Sequence, residues 1–324
     1  MSKALSGTVL VAGSANLDFV VRASHIPAPG ETVLGREFTT FPGGKGANQA
    51  GAAARAGGAA TRMLLALGDD AYAAPLEASL HAAGVTLHVQ RQATLPTGVA
   101  FICLSDGAEN AITVAPGANN ALAPEHLPAL STVSHLLLQL ETPLHSVIAY
   151  AERARATGVR VVLNAAPARA LPQRLLAAVD VLVVNEGELA MLAGDVADLG
   201  AALRRLAVPC IVVTLGEAGC IARVGETMHL QPAFRIEAVD TTAAGDTFCG
   251  ALVAALAQGE VLPTALRIAS AASALACTTL GAQSSIPARD AVLSLLARVP
   301  TDDVAARAAL AQRCGLAVDG GDRH

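Results

Sequence analysis

The chain has 324 residues, 53% hydrophobic and 15% charged, so it can bury a sizeable core as one large domain or two ordinary ones. A formal net charge of −5 argues against a nucleic-acid protein, whose footprint is a basic stripe, and 2% aromatics with no Trp leave little for stacking bases. The six cysteines form no CxxC pair, which argues against metal and redox motifs and suits reduced thiols in a cytoplasmic setting.

The first residues, MSKALSGTVLVAGSANLD, carry one early Lys and a short apolar run, without the longer apolar region of a signal peptide. No apolar stretch approaches a membrane span, so no membrane partner is expected. Residues 8–12 are β-branched and apolar and end at Gly13, reading as a buried strand with Ser14, Asn16 and Asp18 just beyond it. Open α/β sheets place ligand contacts there. Short β-like runs over 19–41 are broken by Pro27, Pro29 and Gly30, and a second group lies at 86–91, 97–104 and 110–114. Neither group alternates with helices. They are expected to pair as a small separate sheet, within about 17–41 and 86–115, forming a lid over the main domain.

Gly43-Gly44-Lys45-Gly46-Ala47-Asn48-Gln49 leads into an Ala-rich helix to about residue 56, followed by a strand at 61–67 and a helix at 71–83. Gly43 and Gly44 permit close backbone approach to a ligand, with donors from Lys45 and Asn48, or they form a plain turn and cap. The phosphate-loop pattern is not met, because Gly46 follows Lys45, and GSANLD stands where a dinucleotide fingerprint would. From 134 the chain alternates: strand 134–140, helix 143–156, strand 159–164, a short helix near 172–178, strand 180–184, helices 186–193 and 198–206, strand 209–214. That rhythm predicts a parallel sheet with helices on both faces. Residues 218–223 and 227–236 read as an antiparallel addition, and two Ala/Leu-rich helices, about 244–258 and 263–279, close the domain. Pro300 marks a boundary between a main domain (1–300) and an appended helix with a polar tail (301–324).

Several polar stretches have two readings. Glu141, after LLLQL, is a surface residue at a helix start or an acceptor for a polyol. Asn185-Glu186-Gly187-Glu188 is a capping box or gathers water around a phosphate-bound Mg²⁺. Thr214-Leu215-Gly216-Glu217-Ala218-Gly219 is a hairpin connection or a place where a nucleotide passes exposed backbone. In VDTTAAGDTFCG (239–250), small residues and a helix start suit an anion, and Asp246 is either a catalytic base beside it or an ordinary helix-start residue.

In this order, GSANLD (13–18), PAPGETV (27–33), GGKGANQA (43–50), TGVAFI (97–102), APGAN (115–119), QLETPL (139–144), LNAAPAR (163–169), NEGE (185–188), TLGEAG (214–219), DTTAAGDTF (240–248) and GAQSS (281–285) resemble the ribokinase (PfkB carbohydrate kinase) family. The resemblance runs from about 8 to 298 and implies a Rossmann-like α/β parallel-sheet sandwich with a β-sheet lid that also forms a homodimer contact. It implies a phosphotransferase with an alcohol acceptor, using ATP to phosphorylate D-ribose at O5. Asn16, Asp18, Gly44, Lys45, Asn48 and Glu141 would then hold the sugar, and Asp246 would deprotonate its 5-hydroxyl beside an anion hole of Ala243, Ala244, Gly245 and Asp246. Asn185, Thr214, Gly216, Glu217, Ala218, Gly219 and Gly245 would lie along ATP with Ser270 near the adenine, and Glu188 near Mg²⁺. An activating K⁺ would sit at Asp240, Thr242, Ala276, Thr279, Gly281 and Ser285. Cys249 and Ser270 depart from the family pattern, which bears on nucleotide affinity. Alternatives are a sibling kinase for deoxyribose, another sugar or a nucleoside, and a non-catalytic sugar- or nucleotide-binding regulator. The all-polar sugar set, with no aromatic to stack a base, favours a free sugar.

Overall fold

The computed structural model describes residues 7–316 apart from 108, 195, 197 and 302, so the polar tail beyond 316 lies outside the described residues. β1 (Thr8–Ala12) is an apolar run whose last four residues are buried, as a strand covered on both faces must be. With no helix between, the chain enters β2 (Asn16–Ala23), which pairs antiparallel with β3 (Glu37–Gly43). Then come α1 (Lys45–Arg55), β4 (Thr61–Gly68), α2 (Ala73–Ala82), β5 (Thr86–Gln92), and the hairpin of β6 (Gly98–Ser105) and β7 (Asn110–Ala115). The alternating half holds β8 (Val133–Leu138), α3 (Leu144–Ala156), β9 (Arg160–Asn164), α4 (Gln173–Leu176), β10 (Val181–Asn185), α5 (Glu186–Ala193), α6 (Leu199–Arg205) and β11 (Cys210–Thr214). β12 (Gly219–Val224) and β13 (Thr227–Pro232) form the expected antiparallel addition. α7 (Ala244–Ala257), α8 (Leu262–Ala276), α9 (Arg289–Arg298) and α10 (Val304–Arg313) follow.

Nine strands make one sheet in the order β13-β12-β11-β10-β9-β8-β1-β4-β5, and four make a second, β3-β2-β6-β7. Two apolar clusters sandwich the large sheet. One gathers α1, α7 and α8 with Val9, Val11, Met63, Leu137 and Val212. The other gathers α3, α5 and α6 with Leu10, Leu64, Leu136, Leu163 and Ile211, the alternate residues of the same strands. Seven strands run parallel, from β5 to β11, and the order turns at β1. A crevice beyond the strand ends at such a turn is where open α/β sheets bind ligands.

One expectation needs correction. Residues 86–92 do not join the small sheet: β5 pairs parallel with β4 at the edge of the large one. An edge strand has one half-exposed side, so Leu87 and Val89 alternate with polar residues and imitate a strand of a solvent-facing antiparallel sheet. The last helix is an addition that packs onto the sheet. Leu310, Ala311 and Cys314 are buried, and α10 packs against β13.

Candidate active site

Ser14, just past β1, and Glu141, just past β8, meet across the turn in strand order. Ser14 Oγ donates to Glu141 Oε2 at 2.6 Å, and the Lys45 N–H at the start of α1 donates to the same oxygen at 3.0 Å. Helix α1 can start this close because Gly44 has φ 88° and Gly46 lacks a side chain. A Cβ at Gly46 would lie 2.6 Å from the Gly13 carbonyl carbon and the Ser14 nitrogen.

The small sheet brings in Asn16 and Asp18. Asn16 Oδ1 accepts from Asn119 Nδ2 at 2.8 Å, which leaves the Asn16 N–H groups for a ligand. Asp18 is 8% exposed, and its carboxyl is pushed up to about 7, first by burial and then by Glu141 and Asp246. Its oxygen occupies space that any side chain at Gly43 would take, 2.1 Å from an added Cβ. Beneath the sheet a cavity of about 150 Å³ is lined by Asp18, Val20, Phe41, Ile102, Asp240 and Gly281.

Asp246 is the third residue of α7, and the geometry decides against its reading as a cap. Asp246 Oδ2 accepts from Asn48 Nδ2 at 3.0 Å and Oδ1 from Gln49 Nε2 at 2.8 Å, so side chains of α1, not backbone of α7, occupy the carboxylate. The helix is entered instead through Ala243 at φ 57°, the one positive-φ residue other than glycine among the described residues. Among the described residues the N–H groups of Ala243, Gly245 and Asp246 have no hydrogen-bond partner, while that of Ala244 donates to Thr241 O at 3.2 Å. Three free donors at a helix start suit an anion. The Lys45 ammonium is held protonated chiefly by Asp246 against the cost of burial, with help from Glu141 and Glu188. Burial pushes the Cys249 thiol well up, and Asp246 and Glu188 add to this, so it stays neutral.

Across the sheet, Asn185 and Thr214 are paired neighbours at the ends of β10 and β11. Asn185 and Glu188 form the capping box: Asn185 N–H donates to Glu188 Oε2 and Glu188 N–H to Asn185 Oδ1, both at 2.8 Å. Burial raises the Glu188 carboxyl, partly offset by the bond from Asn185 and by Lys45. The 216–219 turn exposes Gly216 (φ 58°) and Glu217, leaves Ala218 half-buried, and at Gly219 (φ 114°) a Cβ would lie 2.2 Å from Gln231 O. Ser270 is buried, with Oγ 3.8 Å from Cys220 Sγ behind the hairpin.

The segments 239–242 and 276–285 are tied together beside the start of α7. Asp240 Oδ1 accepts from the Thr242 N–H at 2.8 Å, and Cys277 O accepts from the N–H groups of Val239 and Asp240 at 2.8 and 3.1 Å. Ala276 O accepts from the Thr279 N–H at 3.3 Å, and Ser285 Oγ donates to Ala282 O at 2.8 Å. Among the described residues no group of three or more His, Cys, Asp or Glu could hold a metal ion.

Sequence reasoning assigns nothing to Ser14's bond with Glu141, nor to Gln49, Asn119 or Gln139, although each lies inside a quoted motif. Gln139 carries its own signal, a polar residue at the end of the apolar run LLLQL that is fully buried.

Comparison with known proteins shows the family. The family described as pfkB family carbohydrate kinase matches residues 7–289. A ribokinase of Haemophilus influenzae is 38% identical over 302 residues, covering 89% of this chain and 98% of that protein. A deoxyribokinase of Salmonella typhimurium is 35% identical over 292 residues, covering 86% and 95%. Among solved structures, a ribokinase of Thermotoga maritima superposes with a TM-score of 0.85 at 36% identity, covering 90% of this chain and 100% of that one. A ribokinase of Arabidopsis thaliana complexed with ribose and ATP gives 0.83 at 32% identity, covering 91% and 99%. The fold is thus the ribokinase-like one, and the chain belongs to the pfkB family of carbohydrate kinases.

Proposed function

We propose that the protein transfers the γ-phosphoryl group of ATP to O5 of D-ribose, giving D-ribose 5-phosphate and ADP. The observation that carries this reading is Asp246: a buried carboxylate held by α1 side chains, directly beside three free N–H donors. As O5 attacks the γ-phosphorus, its proton passes to Asp246 and the bond to the β,γ-bridging oxygen breaks, with ADP leaving. The N–H groups of Ala243, Gly245 and Asp246 face the charge on the transferring group, as phosphoryl transfer requires. Asn16, Asp18, Gly44, Lys45, Asn48 and Glu141 hold the sugar hydroxyls. Asn185, Thr214 and the 216–219 turn line the path of ATP, with Ser270 near the adenine. The small sheet acts as a lid that excludes water from the transfer.

The donor sets fit two cations. Glu188, with one oxygen in the capping box, suits an outer contact to a water-rich Mg²⁺, which when bound neutralises phosphate charge. Asp240, Thr242, Ala276, Thr279, Gly281 and Ser285 offer only oxygen donors for K⁺, which when bound adds positive charge beside the anion site. The protein acts in the cytoplasm as a homodimer through the lid, whose exposed Phe38, Phe101, Ile112 and Val114 support an apolar contact. Residues 1–300 form the kinase domain and 301–324 the appended segment.

The 35% identity to a deoxyribokinase keeps deoxyribose as the second reading. An ADP-release assay over a sugar and nucleoside panel separates the two, with ribose expected to turn over fastest; faster turnover of deoxyribose would overturn the ribose assignment. Asp246→Asn should bind both ligands but lose most turnover, and full activity in that variant would remove the base role. A binding-only regulator would turn over no member of the panel.

A further inference from the structure

Behind Asp246 lies a line of two carboxamides drawn from distant parts of the chain. Gln49 Nε2 donates to Asp246 Oδ1 at 2.8 Å, and Gln139 Nε2 donates to Gln49 Oε1 at 2.7 Å. Both glutamines are 0% exposed. A carboxylate only accepts hydrogen bonds, whereas a carboxamide donates at one end and accepts at the other. Asp246 therefore requires the nitrogen of Gln49, which turns Gln49 Oε1 towards Gln139 and requires the nitrogen of Gln139 in turn. At the far end of the line Gln139 Oε1 has no hydrogen-bond partner and abuts Gly13, where an added Cβ would lie 1.9 Å away. A buried carbonyl left without a donor is unfavourable, so packing alone would favour an apolar residue at 139. What the amide supplies is the N–H at its other end.

We propose that Gln49 and Gln139 are positioning residues for phosphoryl transfer. Gln49 holds the Asp246 carboxylate in the orientation that meets the acceptor hydroxyl, and Gln139 acts only through Gln49, by fixing which end of that amide faces the base. Asn48 binds the other carboxylate oxygen, so loss of the line frees one of two tethers and lets the base rotate. This inference rests on the reading of Asp246 as the base.

The test is a double-mutant cycle on the full-length protein with kcat, both KM values and thermal midpoint measured for each variant. Gln49→Met and Gln139→Met remove the donors at nearly constant volume, and Gln139→Leu repeats the second where methionine overpacks. Gln49→Met should lower kcat by about tenfold or more and Gln139→Met by about three- to tenfold, with both KM values within about twofold of the unaltered protein. The double variant should be no slower than Gln49→Met alone. Unchanged kcat in the Gln139 variants, or losses that multiply in the double variant, would overturn the line while leaving the base role standing. If Asp246→Asn keeps full activity, the base reading itself fails. A variant whose fall in kcat is matched by weaker binding of ribose and ATP would mark the glutamines as structural and sink the proposal equally.

Discussion

Asp240 Oδ2 accepts a hydrogen bond from the Gly281 N–H at 2.9 Å, joining two segments 41 residues apart at the foot of α7. Gly281 has φ 95°, and an added Cβ there would come 3.3 Å from the Phe41 ring of the small sheet. The proposed cation loop therefore touches both the helix that carries Asp246 and the sheet over the cavity. Turnover is expected to be faster in K⁺ than in Na⁺, and Asp240→Ala should abolish the difference and lower kcat by roughly tenfold, the order of a lost charge-assisted hydrogen bond. Steady-state rates in matched chloride salts check this; equal rates would refute the site.

Asp18 makes stability depend on pH. Its carboxyl is raised from 3.8 to about 7, so folding takes up a proton between those values. The stabilisation is complete below the unfolded value and is lost as pH rises through about 7. Without sugar, the protein should lose roughly 2–3 kcal/mol between about pH 5 and about pH 8. Asp18→Asn should flatten that slope and raise the KM for ribose. Urea unfolding at a series of pH values measures it, and an unchanged slope in the variant would show that the titration lies elsewhere.

Gly46→Ala tests how tightly α1 is set against β1. The new methyl would meet backbone atoms of Gly13 and Ser14, which cannot swing aside as a side chain can. A loss of about 1–3 kcal/mol is expected from overpacking, together with a raised KM for ribose because Ser14 and Glu141 are displaced. Chemical denaturation and kinetics on one preparation give both values.

Ala243 offers the opposite trade. A left-handed alanine costs about 1–2 kcal/mol, so Ala243→Gly should raise the unfolding free energy by roughly that strain, less the extra freedom of glycine in the unfolded chain. The same change loosens the free N–H donors, and kcat should fall several-fold with the KM for ATP nearly constant. A variant that is both more stable and equally fast would show that the strained entry has no part in the chemistry.

Much of the architecture is legible because periodicity is a local property. The β8 to β11 half alternates strand and helix as the apolar runs predict, and the β12–β13 addition follows from its short spacing. β5 is misplaced for an equally local reason, since a half-exposed edge strand carries the same alternation whichever sheet it joins. At Asn185 and Glu188 the cap is now established, yet a cap and a water-mediated Mg²⁺ contact want the same residues, so the pattern alone could not separate them. Asp246 shows the deeper limit. Its partners Asn48 and Gln49 stand 198 and 197 residues away, and no spacing within 239–250 contains them.

The placement of α10 has a consequence for handling the protein. The matched family span stops at residue 289, yet Leu310 and Cys314 fill the same apolar cluster as Ile221, with Met228 and Leu230 packed against it. A chain ended at residue 300 would keep every residue of the proposed catalytic site and still uncover that face of the β12–β13 hairpin. Wet apolar surface beside an edge strand is a template for self-association. Ending the chain at residue 300 should therefore promote aggregation, visible by size-exclusion chromatography before any change in kcat.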